Sequence, residues 1–208
     1  MRSILHLTCS PKGPPAYSRL MSDEVVARLA AANPGAHVVR RDLAATPPPL
    51  PDAAFSTAVL TGAAADDPAF AASEALIREL EGCDALVIGT PMHNYGVPAV
   101  LKAWVDQVVR IHRTFRSTPS GKVGMLPDRP VFVVTASGGW FTGPSPSGAA
   151  AQPDFLTPYL RAALGTIGLA DVNVITLEGL TRGADQVAQA LAAARARLEE
   201  LVPAPPMP

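Results

Sequence analysis

The stretch Asp84-Ala85-Leu86-Val87-Ile88-Gly89-Thr90 constrains the fold most. It is continuous in apolar, β-favouring residues and lacks the alternation of a half-exposed strand. Such a run suits a central parallel strand covered on both faces. A parallel neighbour is reached only through a crossover, usually a helix. The flanking sequence must therefore supply strands and helices in turn. Ile4–Thr8 reads as a strand bounded by Cys9-Ser10-Pro11. Ser18–Ala32 has helical spacing, with Leu20, Val25, Val26 and Leu29 on one face, and Asn33-Pro34-Gly35 stops it. His37–Arg40 reads as a second strand. Thr46-Pro47-Pro48-Pro49-Leu50-Pro51 cannot pair in a sheet, so Asp42–Pro51 is a surface loop. Helices are predicted over Pro68–Glu81, Pro98–Ile111, Phe155–Ile167 and Gln186–Leu201, and strands over Val131–Ala136 and Val172–Leu177.

Five strands spaced by helices predict an α/β domain over residues 1–202, followed by a disordered tail, Pro203 to Pro208. The arrangement fits a flavodoxin-like, five-stranded parallel sheet in the order 2-1-3-4-5, with helices on both faces. The 208 residues are enough for one such core. Hydrophobic residues at 48 % and charged residues at 17 % are those of a globular chain. A net charge of −1 without a basic run argues against nucleic acid. No apolar stretch approaches the ~18 residues of a membrane span, and Met1 to Leu7 lacks the features of a signal peptide. Cys9 and Cys83, far apart, make neither a disulfide framework nor a metal site and fit a reducing cytoplasm.

Ligands in open α/β sheets bind at the carboxyl ends of the strands. Three loops should meet there: Cys9–Tyr17, Pro91–Val97 and Ser137–Gly148. The first runs from a strand into a helix. Free amides at that helix start, with the hydroxyls of Ser10 and Ser18, could surround a phosphate. Ser18 could equally be a helix cap. The loop matches neither a Walker nor a dinucleotide motif. Cys9 raises the possibility of a phosphatase nucleophile. However, the sixth residue after it is Pro15, where a low-molecular-weight tyrosine phosphatase needs Arg, and Lys12 is an imperfect substitute. In the second loop, Pro91-Met92-His93-Asn94-Tyr95 mixes apolar, aromatic and amide groups. Asn94 is alternatively a turn residue and Tyr95 a core aromatic. His93 reads as structural, and His112 as a charge at a helix end. His6 and His37 fall in strands and receive no role. In the third loop, Gly138-Gly139 lets a backbone approach a ligand closely. Together the loops describe a site for a phosphate tail on a flat, hydrogen-bonding ring.

These stretches make the chain resemble the FMN-dependent NADH:quinone oxidoreductases, also described as FMN-dependent NADH-azoreductases. Ser10-Pro11 through Ser18-Arg19 is similar to the family's serine-rich phosphate loop. Pro91-Met92-His93-Asn94-Tyr95 is similar to its Pro-Met-aromatic-Asn-aromatic motif, and Thr135-Ala136-Ser137-Gly138-Gly139 to its Thr-Ser-x-Gly-Gly loop. Asp154 to Leu160, continuing to Gly168, resembles a long family stretch, and Thr114-Phe115-Arg116 with Gly121–Leu126 fits an excursion before the fourth strand. Ala16, His93, Ser137 and the bulky Trp140-Phe141 depart from the pattern.

The resemblance implies a cytoplasmic flavoenzyme that binds FMN, takes hydride from NADH or NADPH, and reduces quinones or azo compounds by a two-electron ping-pong reaction. No side chain is a covalent catalyst and no metal is expected. Ser10 and Ser18, with the amides of Ala16 and Tyr17, would hold phosphate. Pro91, Met92, His93, Asn94 and Tyr95, with Ala136, Ser137, Gly138 and Gly139, would hold the ring. Phe115, Trp140 and Phe141 are candidates for the substrate pocket, Phe115 being alternatively a buried hairpin residue. A homodimer with sites at its interface is implied. An apolar patch formed by Trp104, Val105 and Val108 with Trp140-Phe141 is expected to mark that interface. The competing reading is a flavodoxin-type electron carrier, which the absence of an acidic surplus weakens.

Overall fold

The computed structural model describes residues 1–203. Five parallel strands form one sheet: β1 Ser3–Thr8, β2 His37–Asp42, β3 Ala85–Pro91, β6 Val131–Ala136 and β7 Val172–Leu177. Two further strands, β4 Phe115–Thr118 and β5 Gly121–Gly124, form a separate antiparallel hairpin. The sheet order is β2-β1-β3-β6-β7. The expected numbering 2-1-3-4-5 fails because the hairpin lies in the chain between the third and fourth strands of the sheet without joining it. The α-helices among the described residues are α1 Tyr17–Ala32, α2 Ala53–Thr61, α3 Ala71–Glu81, α4 Ala99–Val108, α5 Thr157–Ile167 and α6 Ala184–Leu201, and a 3-10 turn over Pro68–Phe70 leads into α3. The expected tail lies, from residue 204 on, outside the described residues.

β3 explains why its sequence is apolar without alternation. Leu86 and Ile88 enter a core layer shared with α3, α4 and α5, while Val87 enters the layer formed with α1 and α6. β6 divides in the same way, Val131 and Val133 to one side and Phe132 and Val134 to the other. At ~25 cal/mol per Å² of apolar surface, burial on both faces makes these strands the centre of the fold.

Three expectations about packing are corrected. Leu20 is exposed, and the inward face of α1 runs through Ser18, Met21, Ser22, Val25, Val26 and Leu29. Trp104, Val105 and Val108 are not a surface patch. They are buried in the core beside Leu101. Helix α4 ends at Val108, so His112 lies beyond it in a loop, with φ +64°. The sequence reading also missed α2. Its Asp52 cap accepts the Phe55 N–H at 2.8 Å and Gly62 ends it in the left-handed region, yet only Ala58 of the helix is buried. A helix with so narrow a buried face leaves no periodic signal.

The hairpin docks on the end of α5. A Cβ on Gly124 would meet the Gly168 nitrogen at 2.2 Å, and Leu126 N–H donates to the Ile167 carbonyl at 3.0 Å. Backbone therefore lies on backbone, and Gly168, at φ +107°, both ends the helix and leaves the space.

Candidate functional site

The carboxyl ends of β1, β3, β6 and β7 release the loops that build the site. The loop after β1 folds back on itself. Lys12 N–H donates to the Ser10 hydroxyl at 3.3 Å, Gly13 N–H to the Ser10 carbonyl, and Ala16 N–H to the Gly13 carbonyl at 3.1 Å. Ala16 is the N-cap of α1, and no side chain caps the helix. Ser18 is therefore not a cap. The residue is 1 % exposed, and its hydroxyl makes no hydrogen bond among the described residues. The backbone N–H groups of Tyr17 and Ser18 likewise donate to no acceptor among the described residues. A helix start left open in this way presents donors and a positive dipole end to whatever lies before it. The Ala16 amide, expected to serve the phosphate, is instead used within the loop.

The start of α1 is placed by contact with β3. A Cβ on Gly89 would stand 2.4 Å from the Ser22 hydroxyl oxygen and 2.8 Å from the Ser18 carbonyl. Ser22 donates to the Arg19 carbonyl and meets Nε2 of His6 at 2.8 Å. The hydroxyl proton is thus spoken for, so Nε2 carries the imidazole proton and Nδ1 accepts from Arg40 at 2.8 Å. Burial lowers the His6 pKa to about 4, which fits this neutral tautomer. His6 thus joins β1, α1 and β2.

The loop after β3 is a tight hairpin. His93 and Gly96 exchange both backbone hydrogen bonds at 3.0 Å, and Asn94 and Tyr95 sit at φ +49° and +70°. Two successive left-handed residues define a type I′ turn. Asn tolerates this; a tyrosine there costs roughly 1–2 kcal/mol. Tyr95 is exposed rather than a core aromatic, and Phe155, also exposed, donates its N–H to the Tyr95 carbonyl at 2.9 Å. Met92 N–H donates to the Ala136 carbonyl, tying this loop to the one after β6. There, a Cβ on Gly138 would stand 2.9 Å from the Thr181 methyl, and one on Gly139 2.5 Å from the Gln152 amide. Both glycines are in close contact with side chains rather than with backbone, and the Gln152 amide is the end of a flexible side chain.

These loops enclose a cleft of about 260 Å³, lined at one end by Ser10, Lys12, Ala16, Tyr17 and Ser18 and at the other by Pro91, Met92, His93, Ala136, Ser137 and Gly138. A second cleft of about 370 Å³ shares Met92, Ser137, Gly138 and Thr181 with it and adds Asn94, Tyr95 and Gly139. The candidate residues for phosphate and ring therefore line one continuous depression. Leu180, Thr181 and Arg182, from the loop after β7, line it too and were not anticipated. Their signal was positional, because they follow a fifth strand on the same edge. Lys12, weighed only against a phosphatase, supplies a cation beside the open helix start.

Two candidates fall elsewhere. Phe115 is buried in β4 beneath the Lys122 ammonium, 5.2 Å from its ring centre, and lines neither cleft. Phe141 is buried and faces a separate cleft with Asp154 and Arg161. Trp140 stays near the site, against Gly179. Cys9 is fully buried, and burial pushes its thiol far above the usual range, so no thiolate is available and the phosphatase reading fails.

The sheet order and a cleft at its carboxyl edge define a flavodoxin-like protein, and the family model described as the flavodoxin-like fold matches residues 2–202. Within that class, the chain belongs to the family of FMN-dependent NADH:quinone oxidoreductases. It is 46 % identical over 198 residues to FMN-dependent NADH:quinone oxidoreductase 4 of Pseudomonas fluorescens, covering 95 % of this chain and 94 % of the relative. It is 46 % identical over 193 residues to FMN-dependent NADH:quinone oxidoreductase 2 of Cupriavidus pinatubonensis, covering 91 % and 92 %. Among solved structures, the fold is shared with an FMN-dependent NADH-azoreductase from Bacillus anthracis in complex with FMN. That match has a TM-score of 0.78 at 19 % identity and covers 97 % of this chain and 100 % of the other.

Proposed function

We propose that this chain is an FMN-dependent NAD(P)H oxidoreductase that reduces quinones and azo compounds. The observation that carries the reading is the open start of α1 at one end of a cleft whose other end is walled by the Asn94-Tyr95 turn and Gly138-Gly139. The donor set fits a flavin mononucleotide. The unpaired amides of Tyr17 and Ser18, the hydroxyls of Ser10 and Ser18, and Lys12 match a phosphate dianion. Asn94 offers both an acceptor and a donor to a polar ring edge, while Met92 and the glycine backbone suit its flat face. When bound, FMN supplies the hydride and electron chemistry. The chain's residues bind and orient, and none acts as a covalent catalyst.

Pro91, Met92 and His93 line the cleft together with Ala136, Ser137 and Gly138, and this reading gives the ring one accessible face. Nicotinamide and quinone are both flat, and both need the same close approach. They must therefore take turns. Parallel double-reciprocal lines are expected when NADH and a benzoquinone are varied together, with NADH alone sufficient to bleach the visible absorbance of the loaded protein under anaerobic conditions. Intersecting lines without bleaching until both substrates are present would overturn this arrangement.

The same reading includes a homodimer. The patch that supports it is not the one expected from α4. Tyr95, 45 % exposed and lining the cleft, and Phe155, 64 % exposed, are joined through their backbones. Large exposed aromatics beside a site mark an interface, and two-fold symmetry is the commonest closed form. Light scattering at assay concentration should give twice the chain mass, and a fully active monomer would sink the proposal. A cytoplasmic location is part of the proposal too, supported by the free thiols of Cys9 and Cys83.

A further inference from the structure

We propose that Arg182, Trp140 and Gln152 form a subsite for an anionic group, a sulfonate or carboxylate, carried by a flat aromatic electron acceptor. The inference rests on the functional reading above and names a substrate class for that site. Beyond Gly139 the depression continues into a third cleft of about 480 Å³. Arg182, Gln152 and Gly139 line both this cleft and the one bounded by Asn94 and Tyr95, so they stand at the junction.

The Arg182 guanidinium lies over the Trp140 ring, 5.7 Å from its centre. It pairs with no carboxylate among the described residues. The nearby acid Glu178 is occupied, accepting from Phe141 N–H at 2.5 Å, Thr142 N–H at 2.9 Å and the Thr142 hydroxyl at 2.5 Å. The Arg182 guanidinium thus keeps its side-chain donors for a ligand. A guanidinium stacked by its face still presents its edge donors, which match the paired oxygens of a carboxylate or sulfonate.

The platform beneath it is held in place. A Cβ on Gly179 would stand 2.7 Å from Trp140 Cζ2, so the indole rests directly on backbone. Gln152 is anchored by its N–H to the Trp140 carbonyl at 2.7 Å, and its side-chain amide lies against Gly139. An acceptor whose ring lies between Asn94-Tyr95 and Gly138-Gly139 would carry a substituent outward past Gly139 to this cation. An uncharged quinone would use the ring site alone.

The test compares 1,2-naphthoquinone-4-sulfonate with unsubstituted 1,2-naphthoquinone on the FMN-loaded protein and its Arg182→Gln variant. Trp140 is half-buried and the only other tryptophan, Trp104, is fully buried, so quenching of tryptophan fluorescence reports the platform. The wild type should bind the sulfonate roughly fivefold to tenfold more tightly than the parent quinone, and the preference should shrink with salt and vanish in Arg182→Gln. In turnover, the variant should raise KM for the sulfonated quinone by the same factor, and by more than it changes KM for NADH or for the neutral quinone. Equal binding of the two quinones by the wild type, or a preference that survives the substitution, overturns the subsite. A raised KM for NADH with unchanged behaviour toward the sulfonate would assign Arg182 to the phosphates of the donor and also overturn it. Failure of NADH to reduce the neutral quinone in the wild type would instead sink the functional reading, while a retained sulfonate preference in the quenching experiment would leave the anion subsite standing.

Discussion

Ser18→Ala is expected to weaken FMN binding by roughly tenfold to a hundredfold, corresponding to about 1.5–3 kcal/mol for a charge-assisted hydrogen bond to phosphate. Folding stability should not fall. The hydroxyl has no partner among the described residues, so its removal leaves no donor or acceptor stranded, and alanine is a better helix former than serine. This separation distinguishes Ser18 from Ser22 one turn later, whose hydroxyl is engaged by both Arg19 and His6. Titration of the FMN-free protein with FMN, together with urea unfolding of the same material, checks both halves. Unchanged affinity would remove Ser18 from the phosphate site.

Gly89→Ala is expected to damage stability and cofactor binding together. The added methyl would stand inside contact distance of the Ser18 carbonyl and the Ser22 hydroxyl. The Ser22 side chain can turn only by giving up His6, and the Ser18 carbonyl moves only if α1 moves. Overpacking of this kind costs roughly 1–3 kcal/mol. The displaced segment carries the open Tyr17 and Ser18 amides, so FMN affinity should fall although residue 89 need not touch the ligand. A lower urea midpoint with a raised FMN dissociation constant is the expected pair of results. A variant with both values at the wild-type level would mean that the contact between α1 and β3 does not place the phosphate loop.

The glycines illustrate how much of the site was legible in advance. Gly138-Gly139 could be assigned to a ligand-facing loop because it follows a strand at the carboxyl edge, a statement about chain order. Gly89 gave no such sign. It is one glycine within an apolar strand, and its role appears only when α1 crosses it. Arg182 is similar: the sequence shows an arginine after a strand, while its stack on Trp140 depends on two loops 42 residues apart in the chain. Trp104 failed in the opposite direction. A tryptophan after the ring-binding loop read as a surface anchor, and the packing of α4 against the sheet buries it completely.

The sequence by itself determined the alternation of strands and helices, the central place of β3, and the three loops that meet at the carboxyl edge. Each rests on local periodicity or chain order, which neighbouring residues fix without reference to the rest of the fold. It also indicated the family, because the motifs of the loops are contiguous. Only the tertiary structure decided that the excursion Phe115–Gly124 forms its own hairpin, that Ser18 is a free hydroxyl rather than a cap, that the Ala16 amide is already used, and that Tyr95 rather than Trp104 faces outward. These depend on which surfaces are covered and which donors already have acceptors. Both are properties of segments far apart in the chain brought within a few ångströms, and no local pattern encodes them.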